Sequence, residues 1–192
     1  SMKKIALVLL LACSNFLFAQ QMPADSTQYS GEKHFKNVQQ LTFGGDNAEA
    51  YFSFDSKYII FQKTNPKEGL DCDQMFIGKV PKLGEKFSYK RVSSGKGRTT
   101  CGAFLKDGKH IIYASTHLAA DTCPPVPDRK KYGNKYIWPI YNSFDIFMAD
   151  TNGKIVKQLT KEKGYDAEGT ISPDGKTMVF TSTRDGDLDL YL

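Results

Sequence analysis

The residues able to do chemistry fall at matched positions along this chain. Glu49, Cys101 and Glu168 each stand six residues before a turn aspartate, namely Asp55, Asp107 and Asp174. Two residues upstream of them lie Asn47, Thr99 and Asp166, with Arg98 just before Thr99. Carboxylates brought to equivalent places can hold a cation or a basic ligand, with Arg98 as a neutralising partner; the structural alternative is carboxylates solvated or bonded to nearby backbone N–H groups. Beyond the N-terminal stretch the cysteines are Cys72, Cys101 and Cys123. Their odd number leaves at least one thiol unpaired, or paired outside the chain. One disulfide, from Cys101 to Cys72 or to Cys123, is expected. A metal site that adds His117 is the alternative, and the lack of any Cys-x-x-Cys pair counts against it.

These residues need a scaffold, and the scaffold repeats. Asp55-Ser56-Lys57, Asp107-Gly108-Lys109 and Asp174-Gly175-Lys176 are followed by Phe61, Tyr113 and Phe180 at one constant offset, and then by Thr64, Thr116 and Thr183. Leu41-Thr42, Val92-Ser93 and Leu159-Thr160 precede the turns. Asp bonds the backbone two residues on and Gly accepts positive φ, so each turn joins two antiparallel strands; Ser56 in the Gly place should be strained. The turn aspartates are accordingly structural. The first unit holds four strand candidates, Ala50–Phe54, Tyr58–Lys63, Gln74–Val80 and Tyr89–Ser93. Such units are the signature of an all-β propeller built from four-stranded antiparallel blades.

In that geometry the inner and third strands start from one rim. Glu49, Cys101, Glu168, Asn47, Asp166 and Arg98 are therefore expected at the channel mouth, with Cys72 and Cys123 on the same face. The copy from Asp107 to Asp174 is longer than the first, which places an insertion at 117–143. Its prolines limit ordering cost, and Tyr136, Trp138 and Tyr141 offer a contact surface.

Gln40-Leu41-Thr42, Gln158-Leu159-Thr160, Ser172-Pro173-Asp174-Gly175-Lys176, Thr183-Arg184-Asp185-Gly186 and Asp189-Leu190-Tyr191 resemble the repeats of TolB-type β-propellers over residues 37–192. The resemblance implies a periplasmic scaffold role near the outer membrane and peptidoglycan. Similar repeats also occur in propeller domains of peptidases. The expected division is blade 1 at 43–93, blade 2 at 94–160 and a truncated blade 3 at 161–192. This is an incomplete ring, since closure takes about four to eight blades. Val38–Thr42 is expected to be an outer strand pairing with missing blades of the same polypeptide.

Residues 1–19 read as a signal peptide: Lys3 and Lys4, an apolar stretch from Ile5, and cleavage after Ala19. A lipidated Cys13 is the less favoured reading, because Phe16-Leu17-Phe18 would follow it. Residues 20–36 form a flexible leader, with no membrane span after it. The 26 Lys and Arg against 21 Asp and Glu are too evenly spread for a nucleic-acid binder. No nucleophile elbow, zinc helix or phosphate-cradling loop is present, and no cofactor or metal is expected. The reading is an exported, periplasmic or secreted, non-catalytic propeller that binds a protein or peptide at its rim. The alternatives are the N-terminal propeller of a secreted peptidase and a cell-surface carbohydrate-binding propeller.

Overall fold

A computed structural model describes Tyr29 and residues 31–192; the signal segment, Cys13 and most of the leader lie outside the described residues. In the described part of the leader the Glu32 N–H donates to the Tyr29 carbonyl, and no strand forms. All strands belong to one compact unit, Gln40–Leu192.

The turns form for local reasons. Asp55 accepts the Ser53 hydroxyl at 2.7 Å and the Lys57 N–H at 3.2 Å, while Asp107 accepts the N–H groups of Lys109 at 2.8 Å and His110 at 3.0 Å. Asp174 does the same for Lys176 at 3.1 Å. The next residue must be left-handed: Gly108 and Gly175 have φ of 65° and 78°, and Ser56 adopts 56° at the cost of strain.

Each turn joins the first two strands of a sheet. The strands β1 (Asp46–Phe52), β2 (Tyr58–Asn65), β3 (Leu70–Lys79) and β4 (Tyr89–Arg91) make the first sheet, in chain order. β5 (Thr99–Phe104), β6 (His110–Ser115), β7 (Asp145–Asp150) and β8 (Ile155–Gln158) make the second. β9 (Asp166–Ile171), β10 (Met178–Ser182) and β11 (Asp189–Tyr191) make the third. All pairings are antiparallel. The sheets are propeller blades, and the described residues do not close a ring.

Strand limits differ from expectation in two places. β1 starts earlier, because Asp46 and Asn47 pair with Thr64 and Lys63. β3 starts at Leu70, because the 3-10 turn Pro66–Glu68 returns the chain at once. Val38–Thr42 forms no strand among the described residues, since a strand needs a ladder; Leu41 packs on the cluster of Ile59, Phe61, Phe76 and Phe87.

β6 shows how the blades stack. Ile111 and Tyr113 face blade 1 and pack with Ile60, Met75 and Val92, while Ile112 faces blade 3 and packs with Ile146 and Phe180. Both faces are dry, so every position from Ile111 to Ser115 is buried. Each fully buried aliphatic side chain there stabilises by roughly 1.5–3 kcal/mol. The Leu-Thr and Val-Ser pairs have a ladder role: the Ser93 and Thr160 hydroxyls accept the N–H groups of Met75 and Ile146.

Candidate functional site

The inner strands β1, β5 and β9 share one irregularity. Each slips register against its neighbour, leaving two residues opposite one: Glu49 and Ala50, Cys101 and Gly102, Glu168 and Gly169. These are β-bulges at equivalent positions. Their first residues are left-handed, with φ of 48° at Glu49, 55° at Cys101 and 58° at Glu168. An L-residue pays about 1–2 kcal/mol for that conformation, and the bulge re-aims its side chain. Gly102 follows Cys101 because a Cβ there would run into Met75 Cε and come within 2.9 Å of Ile60 Cδ1 of blade 1.

The three bulge residues line one cavity of about 650 Å³. Tyr51, Phe52, Phe54, Phe104 and Ile171 give it an apolar remainder. Burial raises the pKa of the Cys101 thiol well above its ordinary value, and the Glu49 and Glu168 charges raise it further. Burial and the same two carboxylates push up the Tyr51 hydroxyl, as burial and Glu168 push up Tyr165. Glu168 accepts the Thr181 hydroxyl at 2.7 Å and the Tyr165 hydroxyl at 3.4 Å. The cavity therefore carries concentrated negative potential beside aromatic and apolar walls, an arrangement that can hold a cationic group.

Asn47, Arg98 and Asp166 do not line it. Asn47 donates to the Gly44 carbonyl at 3.2 Å. Arg98 Nε lies 3.7 Å from Asp73, so the charge of Arg98 goes there and not to Glu49 or Glu168. Asp166, only 1% exposed, is held by Arg184 at 3.3 Å, which in turn lies over the adjoining Phe180 and Tyr191 rings. Asp166 and burial together push the neighbouring Asp145 carboxyl up, burial more strongly. Arg98 and Tyr165 are equivalents: the Thr116 and Thr183 hydroxyls accept their backbone N–H groups at 3.0 and 2.9 Å. Tyr51 and Tyr165 were not singled out from the sequence; the signal for Tyr165 was its place one residue before Asp166, matching Arg98 before Thr99.

A single disulfide forms, as expected, but its partners are corrected. Cys72 pairs with Cys123, with Cα atoms 5.9 Å apart, and Cys101 is free. The reason is the bulge, which turns Cys101 into the channel, whereas Cys72 lies on β3 facing the insertion. The metal alternative fails with it: His117 packs on Phe147 at 4.4 Å and bonds Ser115, and no metal-holding cluster exists among the described residues. The disulfide ties the β6–β7 insertion to blade 1. From there the chain runs on past exposed Trp138 to Phe144, whose ring packs edge-on against Tyr165 at the start of blade 3 at 5.7 Å. Tyr141 is an anchor within the insertion, donating to the Pro125 carbonyl at 2.7 Å and packing on Phe144.

Comparison with known proteins bears on this architecture. No family model matches the chain. Against TolB from Acinetobacter baumannii the chain aligns with a TM-score of 0.52 at 20% identity, covering 77% of this chain and 29% of that one. The fold is a TolB-like propeller. In sequence this TolB-like chain is 24% identical over 108 residues to the Tol-Pal system protein TolB of Helicobacter pylori strain ATCC 700392 / 26695, and equally to that of strain HPAG1. The match covers 56% of this chain and 20% of those proteins. The TolB-like chain thus spans about one fifth of the curated relatives it matches. Among the described residues no helix is long and apolar enough to cross a membrane.

Proposed function

We propose that this chain is a non-catalytic binding propeller, exported to the periplasm or secreted, which takes a protein or peptide at the channel face of its inner strands. One observation carries the reading: three successive blades spend backbone strain to aim Glu49, Cys101 and Glu168 into one cavity. Strain repeated at equivalent positions is what a binding site retains when the fold alone would favour glycine. A lysine or arginine of the ligand sits between the two carboxylates against Tyr51, and its apolar neighbours meet Phe52 and Phe104. The relatives' names support a place in a Tol-Pal type of assembly.

The test uses an acetylated, amidated tetralysine peptide carrying a fluorophore, followed by anisotropy on the full chain. The Glu49→Gln, Glu168→Gln double variant should weaken binding about tenfold. Unchanged affinity in that variant would remove the cavity from the proposal. Export is tested by mass: the exported chain should begin at Gln20, and a lipidated Cys13 terminus would contradict it.

A further inference from the structure

The tip of the β6–β7 insertion has a chemistry that the cavity does not use. We propose that residues 128–136 dock an acidic segment of a partner protein. Arg129, Lys130, Lys131 and Lys135 stand within seven residues, and Asp128 is the single carboxylate among them. Asp128 is turned to the backbone, accepting the Lys130 N–H at 3.0 Å. None of the four cations reaches a carboxylate within ion-pair distance among the described residues. The tip therefore presents positive charge that nothing in the described chain neutralises.

Aromatic surface accompanies the charge. Tyr132 is 56% exposed and Tyr136 72% exposed, and Arg129 lies over the Tyr136 ring at 5.5 Å. Arginine and tyrosine on one exposed knuckle are the composition of interface hot spots, whereas a lipid-binding tip needs long aliphatic groups to insert. The knuckle is also shaped in advance. Its 3-10 turn Arg129–Tyr132 ends on Gly133 and Asn134 at φ of 66° and 59°, with the Asn134 N–H returning to the Arg129 carbonyl at 3.0 Å. The Cys72–Cys123 bond and the Tyr141 to Pro125 bond hold the base of the loop. A surface ordered before binding loses less entropy on association. An acidic peptide fits it: carboxylates fork onto Arg129 and pair with the lysines, while Tyr132 and Tyr136 cover the apolar stems.

This site is independent of the cavity reading, and the experiment separates the two. A fluorescent, acetylated and amidated octaglutamate peptide is titrated by anisotropy against the full chain at low and at physiological salt. The triple variant Arg129→Glu, Lys130→Glu, Lys131→Glu should weaken binding at least tenfold, and Tyr132→Ser with Tyr136→Ser about threefold at the same salt. Lys154→Glu with Lys157→Glu on β8 should change it less than twofold, as should Glu49→Gln with Glu168→Gln. No binding by the unaltered chain, or an equal loss in the β8 variant, overturns the proposal. So does tighter binding to phosphatidylglycerol vesicles that the triple variant abolishes.

Discussion

The Cys101 thiol shares one cavity with the Glu49 carboxylate of the adjacent blade, whose charge adds to burial in raising the thiol pKa. Half-buried and beside two carboxylates, it is held in the thiol form. The native chain should therefore react slowly with iodoacetamide at pH 8, and Glu49→Gln should speed the reaction severalfold. After unfolding without reductant, peptide mapping should find Cys101 alkylated and Cys72 linked to Cys123. A linked peptide containing Cys101 would refute the pairing.

The bulges make a second prediction. Glu49→Gly relieves the left-handed strain and should stabilise by about 1 kcal/mol, whereas Glu49→Val, branched at a φ of 48°, should destabilise by a similar amount or more. Urea midpoints with unchanged slopes would measure both. Equal midpoints for the two variants would show that the strain is absent.

Gly102→Ala tests the blade 1 to blade 2 contact. The added methyl meets Met75 and Ile60, so overpacking should cost about 1–3 kcal/mol. Combining it with Met75→Ala, which opens space at the same point, should recover part of that loss.

Much of this architecture was legible beforehand. The Asp turns announced themselves because Asp, Gly and a fixed aromatic offset are local requirements of a tight antiparallel corner. Glu49, Cys101 and Glu168 were found by alignment alone. Their bulges were not, since a register slip depends on the partner strand and leaves no composition signature. The single disulfide was legible but its partners were not, for the same reason: Cys101 shares a face with Cys72 in a flat alignment, and only the left-handed backbone turns it away. Arg98 was assigned to the glutamates because Asp73, its actual partner, belongs to another strand of the neighbouring blade.

Asp145 gives a pH prediction. Its folded carboxyl is raised above the ordinary value by burial and then by Asp166. A carboxyl raised on folding favours the native state while protonated, and that contribution is lost as pH climbs through the folded value. Asp145→Asn keeps an oxygen to accept the Gln158 amide, and its own amide can donate to the Thr160 hydroxyl. It should raise the melting temperature at pH 7, and the gain should fade as pH falls through the raised folded value and be gone by the ordinary carboxylate value of about 4. A gain constant across that range would refute the assignment.

The Cys72–Cys123 bond spans 51 residues and should stabilise by about 4 kcal/mol through the unfolded chain. It also has a topological meaning. The loop between β3 and β4 of the first wedge runs through exposed Lys82 and Lys86, sites open to trypsin. A single cut there leaves two pieces on one covalent thread. They should migrate together on a gel without reductant and part only when a thiol is added.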